Sequence, residues 1–410
     1  MISVDEAQKI IQDHTRPIGI ERVSLPECVG RVLAEEVHAR RDHPPWDNSA
    51  MDGYAVRWED VKAASPKRPA FLRIVEEIPA GHLPQRTIRK GEAARIMTGA
   101  PLPEGADTVI RKEDTSEDEK GVNIFTAGEK GEYVRAKGMD VTTGSFLMGR
   151  GTVLRPPHIG MLAAIGKGLV TVYRRPRVAI LATGNELTDL GDPLSPEKIM
   201  DTNSYAVAAQ AREAGAEPIL IGIAKDTPED LKERLAEALS SASGGSGGSD
   251  VVVSSGGVSV GKYDFVKEVY QQLGIEIKFW RVSMKPGSPL AFGTCGEKLV
   301  FGLPGNPVSS MVTFELFVRP ALRRMAGAAQ IYRPRVLATL AEDIKKSPEK
   351  SHFLRGWVQI ADQQYTVRTT GIQDSGVLSS MLAANALILL PEGRTEFQAG
   401  DKVEVHLLWQ

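Results

Sequence analysis

Asp250-Val-Val-Val-Ser-Ser-Gly-Gly-Val-Ser-Val-Gly-Lys-Tyr-Asp264 decides how this chain is read. Its β-branched run, Val251 to Val253, predicts a buried strand. The run passes directly into Ser254, Ser255, Gly256, Gly257, Ser259 and Gly261, and Asp264 stands where the next helix would begin. A strand, a glycine-rich turn and a helix start together form a place where backbone N–H groups approach phosphate. A carboxylate there can hold a metal ion that bridges phosphates. Taken alone, the same residues would equally make a plain tight connection whose glycines serve only the turn.

Two more segments follow the same plan. Arg177-Val-Ala-Ile-Leu-Ala-Thr is an apolar strand ending in Thr183-Gly184-Asn185-Glu186. Lys298-Leu-Val-Phe-Gly-Leu is another, ending in Pro304-Gly305-Asn306-Pro307 before a long helical pattern. Pro307 suits the first position of that helix, with Asn306 as its N-cap. In open α/β sheets, ligands bind beyond the carboxyl ends of strands. Three such ends carry Gly, Ser or Thr, and two of them add carboxylates.

Working outward, strands are expected near 177–182, 217–223, 250–254, 275–282, 289–293 and 298–303. Helices are expected near 203–214, 228–240, 264–273 and 307–325. Thr227-Pro-Glu-Asp230 is a helix start with Thr at the cap and Pro at the first position. Gly215 and Gly274 fall where helix C-caps belong. This alternation implies a mostly parallel sheet covered by helices on both faces. The Gly/Ser run Ser240–Ser249 reads as a flexible loop without chemistry of its own.

Residues 47 to about 140 read instead as a small all-β unit. Its strand-like runs are Gly53–Arg57, Phe71–Val75, Thr108–Arg111 and Val122–Phe125, with the acidic run Glu113–Lys120 expected as a solvated loop. After Tyr332 the chain reads β again, over 335–340, 353–360, 365–369, 386–390 and 402–408.

At 410 residues the chain has material for several cores. Its formal charge of −2 argues against a dedicated nucleic-acid binder. Cys28 and Cys295 are the only cysteines, too few for a disulfide framework or a Cys-rich zinc site, and they suit a reducing cytoplasm. Ser3, Asp5, Glu6 and Lys9 interrupt the N-terminus early, so it reads as a helix with a Ser3–Glu6 capping box rather than a signal peptide. No apolar run reaches membrane-spanning length.

Pro44-Pro-Trp-Asp-Asn-Ser-Ala-Met-Asp-Gly-Tyr-Ala-Val56 packs two carboxylates, an amide and a hydroxyl between aromatics. Arg95-Ile-Met-Thr-Gly-Ala-Pro follows, and then Arg135, Lys137 and Asp140. With the three strand ends, these segments resemble the molybdopterin molybdenumtransferases, the family that includes the E domain of gephyrin. DNSAMDGYA, MTGAP, TGNEL, SSGGVSVGKYD, MKPG and GLPGNP occur here in that order. The resemblance covers essentially the whole chain.

The resemblance implies an α/β multidomain protein in four parts. Residues 1–46 with 141–176 would form an N-terminal and linking α-β region, and 47–140 an inserted small β domain. Residues 177–328 would form the central molybdopterin-binding-like α/β domain with a mostly parallel sheet, and 332–410 a C-terminal β barrel. It implies a molybdenum insertase, a molybdotransferase that passes molybdate to the dithiolene of adenylylated molybdopterin and releases AMP. It also implies a homodimer whose active site is shared, with Asp52, Thr98 and Asp140 of one chain facing Glu186, Asp226 and Asp264 of the other. Donor and acceptor partners would be the adenylyltransferase of the preceding step and acceptor molybdoenzymes.

For the chemistry, Glu186, Asp226 and Asp264 are the expected oxygen ligands of Mg²⁺ or another divalent cation. Gly256, Gly257, Ser259, Pro304 and the helix start at Pro307 are expected to cradle phosphate. Arg281 and Lys285 suit anionic ligands, the pterin phosphate and molybdate. Arg355, Ser375 and Ser379 match family positions linked to oxyanion binding. Two departures stand out. Arg281 replaces a lysine common in the family, and Ser288 stands where many members carry a second lysine, which removes a positive charge near the expected oxyanion site. Two alternatives remain at this point: a molybdopterin adenylyltransferase, which would resemble the α/β domain alone, and a non-catalytic scaffold or oxyanion-binding protein. Against the scaffold stands the retention of carboxylates expected to be buried.

Overall fold

The three valines of Val251–Ser255 are each fully buried. Val251 and Val253 face one apolar core and Val252 the other. A strand buried on both faces needs a continuous apolar run rather than alternation, which is what the sequence supplies. Each such valine contributes about 1.5–3 kcal/mol of burial. The computed structural model describes residues 1–193, 195–240, 248–257, 263–361 and 363–408.

Around this strand lies a six-stranded sheet. Its order is Glu217–Ala224, Arg177–Thr183, Val251–Ser255, Lys298–Leu303, Ala291–Cys295 and Glu276–Phe279. The first four strands are mutually parallel, and Ala291–Cys295 runs antiparallel to both neighbours. Asn203–Glu213, Pro228–Ser240, Tyr263–Gln272 and Pro307–Thr313 are the covering helices. The last continues through a π turn, Phe314–Val318, into Arg319–Met325. Ser255 pairs with Ala182 on one side and Leu303 on the other, and Thr183 ends its strand one residue further on, so the three glycine-bearing turns emerge side by side.

The first helix, Val4–His14, is capped by Ser3, whose hydroxyl accepts from Glu6 N–H at 3.1 Å. Its buried Ala7 and Ile11 join the core of the α/β sheet, and Gln8 donates to the Leu316 carbonyl at 3.0 Å. The helix is thus packed on the α/β unit. The segments around it, the Ile20–Ser24/Leu169–Tyr173 strand pair and helix Pro156–Ala164, build a separate small core.

The inserted β unit has one sheet, ordered Thr108–Arg111, Gly53–Val56, Glu92–Ile96, Ala70–Ile78, Gly121–Ile124 and Thr115–Asp118. Two features depart from expectation. Glu92–Ile96 is a strand that the sequence reading omits, between its neighbours at the sheet centre. The acidic run is not a solvated loop: Thr115–Asp118 pairs with Gly121–Ile124, and Glu117 accepts from Tyr54 and Arg95. Cross-strand partners stabilise what composition alone marks as loop.

In the C-terminal unit, Ser351–Ala361, Gln364–Thr369, Arg335–Leu340, Lys402–Leu407 and Ala386–Leu390 form a closed five-stranded barrel. Several contacts fix it to the α/β unit. Met284–Lys285, which follows the last sheet strand, pairs in parallel with Ser351–His352 of the barrel. Arg333 donates to the buried Glu315 and to Glu213, both at 2.6 Å.

Candidate active site

A cleft of about 810 Å³ opens where the carboxyl edge of the sheet meets the barrel. That size suits a small-molecule ligand. One wall is the strand ends: Thr183, Gly184, Glu186, Asp226, Gly256 and Gly257. The floor continues through Pro304, Gly305, Asn306 and Ser309. The remaining wall is the segment Met284–Pro289 together with Lys350, Gln373, Asp374 and Ser375 of the barrel.

Local hydrogen bonds explain why these turns hold their shape. Gly256 has φ +91, and a Cβ there would lie 2.5 Å from the Thr183 carbonyl oxygen. Only glycine lets the two turns approach this closely. The Asn203 amide donates to Ser255 Oγ and to the Gly305 carbonyl, both at 2.7 Å, tying two strand ends together. Asn185 and Asp226 clasp one another: the Asn185 N–H donates to the Asp226 carboxylate at 3.3 Å, and Asn185 Oδ1 accepts from Asp226 N–H at 3.1 Å. Pro307 opens its helix, but Asn306 does not cap it through its side chain. Its amide instead donates to Ser375 Oγ of the barrel at 2.8 Å.

The cleft is chemically divided. Glu186 and Asp226 enter from the ends of two adjacent parallel strands; Glu186 is exposed and Asp226 half-buried, so neither is the buried carboxylate expected. Lys285 and Lys350 enter from the segment and the barrel turn. Among the described residues, neither lysine has a carboxylate within ion-pair distance. Nor do three His, Cys, Asp or Glu side chains converge to hold a metal ion. Ser259 and the side chain of Asp264 lie outside the described residues, as do 241–247 of the Gly/Ser loop. Asp264 belongs by its backbone to the first turn of Tyr263–Gln272.

Several expected site residues stand elsewhere. Arg281 does not line the cleft; its carbonyl accepts from Ile2 N–H at 3.2 Å, at the far end of the segment that carries Lys285. Arg355 is fully buried behind the wall. Its Nη2 donates to the Asp374 carbonyl and its Nε to Ser380 Oγ, each at 3.0 Å, and its own N–H donates to Gln373 Oε1 at 2.8 Å. It therefore braces the loop 373–375 that faces the cleft, and burial brings its guanidinium down to about 10. Ser380, not the exposed Ser379, is the hydroxyl it uses. A serine doublet carries no signal of which member turns inward. Lys350, Gln373 and Asp374 are lining residues that the sequence reading missed. The signal for Lys350 was a lysine in the Ser347-Pro-Glu-Lys turn just before Phe353-Leu-Arg-Gly.

Asp52, Thr98 and Asp140 lie outside this cleft. Asp52 is exposed, and its Oδ1 accepts from both Thr98 N–H and Thr98 Oγ1 at 2.7 Å. Those two donors hold its carboxyl below the usual carboxylate range. Asp140 is exposed, with its N–H bonded to the His43 carbonyl at 3.1 Å.

Fold and cleft together define a multidomain α/β protein with a cleft at the carboxyl edge of its sheet. Residues 2–166 match the family described as MoeA N-terminal region (domain I and II). Residues 179–324 match a probable molybdopterin binding domain, and 337–408 the MoeA C-terminal region (domain IV). The chain is 42% identical over 390 residues to the molybdopterin molybdenumtransferase of Nostoc sp., covering 94% of this chain and 88% of that relative. It is 35% identical over 409 residues to the protein of the same name from Staphylococcus aureus, covering 99% and 95%. The crystal structure of the molybdopterin biosynthesis moeA protein from Pyrococcus horikoshii superimposes with a TM-score of 0.83 at 32% identity, over 99% of this chain and all of that one. The chain belongs to the molybdopterin molybdenumtransferase family.

Proposed function

We propose that this cleft binds adenylylated molybdopterin and molybdate, joins molybdenum to the dithiolene sulfurs and releases AMP. The chain is a transferase of molybdenum cofactor biosynthesis, in keeping with relatives of that name along nearly its whole length. The observation that carries the finer reading is the division of the cleft. Backbone turns with Glu186 and Asp226 line the strand ends, and Lys285 and Lys350 stand on the facing wall, which also carries Asp374. Such a cleft offers oxygen ligands to a cation on a pyrophosphate and positive charge to an oxyanion.

Glu186 and Asp226, with Asp264 at the following helix start, would hold Mg²⁺. The bound ion would neutralise phosphate charge and polarise phosphorus. The turn at Gly256 and Gly257 lines the cleft and would present its backbone to a phosphate. Lys285 attracts the oxyanion, and Arg355 keeps the loop carrying Ser375 in place. The exposed Asp52–Thr98 pair and Asp140 serve the cleft of a second chain in a homodimer. The two cysteines are unpaired, which suits a reducing cytoplasm. Among the described residues no helix is long and apolar enough to cross a membrane. Substrate would come from the preceding adenylyltransferase, and cofactor would pass to acceptor molybdoenzymes.

The test is AMP release from adenylylated molybdopterin as molybdate is added. The reading requires release that depends on molybdate and stops on thorough chelation of divalent ions. Release that ignores molybdate, or formation of ATP and free molybdopterin from adenylylated molybdopterin and added pyrophosphate, would overturn it.

A further inference from the structure

We infer that the oxyanion bound in this cleft is held by Lys350, a cation delivered by the C-terminal barrel to the place beside Ser288. The inference rests on the molybdenumtransferase reading above and assigns one residue within it. Lys350 Nζ lies 3.4 Å from Ser288 Oγ, and both residues line the cleft. The Ser288 hydroxyl donates to the Val282 carbonyl at 2.9 Å, so its oxygen faces the ammonium as an acceptor. Ser288 is where the family resemblance placed a missing lysine. The charge absent from that position in sequence is therefore present there in space.

The turn that presents Lys350 is held from several directions. Its continuation, Ser351–His352, pairs with Met284–Lys285. Ser283 Oγ donates to the Glu349 carbonyl at 3.2 Å. Lys346 Nζ donates to the carbonyls of Ser347 and Lys350, both at 3.0 Å. Lys346 thus spends its ammonium on backbone, whereas Lys350 is half-buried with no carboxylate within ion-pair distance among the described residues. A partly desolvated ammonium without a counter-ion raises the affinity of its surroundings for an anion.

His352 lies in the same field. It is 7% exposed, and its Nε2 finds no hydrogen-bond partner among the described residues. Burial first, then the ammonium groups of Lys346, Lys285 and Lys350, bring its imidazole down to about 4. A neutral histidine amid three lysines marks a region of positive potential that a dianion would relieve.

The experiment is calorimetric titration of the purified full chain with molybdate, at low and at high salt. Lys350→Gln should weaken binding roughly ten-fold at low salt, the scale of one charge-assisted contact, and by less at high salt because the lost contribution is screened. Lys350→Arg should retain most of the affinity. Ser288→Lys in the Lys350→Gln background should restore it, since it places a charge at the same spot from the other side. A structural role would not respond to that second change. Unchanged affinity in a folded Lys350→Gln chain, or no recovery in the double variant, overturns the assignment. Thermal melts of each variant secure the fold, and Lys350→Met replaces Lys350→Gln if that chain melts early. Molybdate-dependent AMP release by the unaltered chain separates the two readings. Its absence defeats the molybdenumtransferase chemistry, whereas its presence with an unaffected Lys350→Gln titration defeats Lys350 alone.

Discussion

The turn at Thr183-Gly184-Asn185-Glu186 and the turn at Met97-Thr98-Gly99 look alike in sequence, each with a hydroxyl and a glycine after an apolar strand. In space they differ. The first opens into a cleft of about 810 Å³ lined by Glu186 and Asp226, with Lys285 and Lys350 on the facing wall. The second lies on the surface of the small β unit, and its Thr98 hydroxyl and N–H are both given to Asp52. A carboxylate that is exposed and supplied with donors is stable where it stands and encloses nothing. It becomes part of a site only when another surface covers it. In the homodimer proposed above, one chain would give the cleft and the other the Asp52 surface.

Mixing experiments test that division most severely. Asp52→Ala and Asp226→Ala should each lower molybdate-dependent AMP release by roughly a hundred-fold or more, as expected for residues of one catalytic unit. Mixed under conditions that let subunits exchange, the two inactive chains should recover about a quarter of full activity, because half of random dimers are mixed and hold one intact site of two. A mixture no better than its components, with a monomer in light scattering, breaks the comparison. On the cleft side, Lys285→Ala should raise the molybdate concentration for half-maximal release by about ten- to a hundred-fold, narrowing as salt is added. An effect on the pterin substrate instead would move the oxyanion away from this wall.

Stability measurements sharpen the cleft's own geometry. Gly256→Ala forces a side chain into a positive φ and against the Thr183 carbonyl, at a cost of about 2–4 kcal/mol in urea unfolding. Glycine 99, at the turn after Thr98, also has positive φ but open space around its missing Cβ, so Gly99→Ala should cost only about 1 kcal/mol. A further expected effect is acid-dependent. His352 is neutral in the fold down to about pH 4, whereas in the unfolded chain it binds a proton near 6.5. Between those values the unfolded state holds the extra proton, so stability is full above pH 6.5, falls on acidification and levels near pH 4. The loss should be about 1–3 kcal/mol, and His352→Gln should remove that part of the pH profile.

Local patterns in the chain identified most elements of the α/β unit and the barrel. Apolar runs bounded by glycine or proline mark strands that are buried on both faces, and helix starts such as Thr227-Pro228 are written in neighbouring residues. The same reasoning failed for Glu113–Lys120, because a polar edge strand is stabilised by partners across the sheet, namely Tyr54 and Arg95 to Glu117. It also separated poorly among basic residues. Arg281 and Lys285 belong to one short segment, yet only Lys285 reaches the cleft, since the barrel docks at that end. Arg355 reads as a ligand-binding cation but is buried against backbone carbonyl and serine oxygens.

What the sequence by itself determined is local and periodic: the strand Val251–Ser255, the glycine turn after it, and two companion turns at the ends of parallel strands. What only the tertiary structure decided is which side chains enclose the space beyond those turns. The barrel wall exists because Met284–Lys285 pairs with Ser351–His352 and Asn306 reaches Ser375. These partners are distant in the chain, so no run or spacing encodes them. Their meeting depends on the barrel docking in one orientation, with Phe353, Leu387 and Leu408 joining the core of the α/β unit, and that orientation brings Lys350 to Ser288.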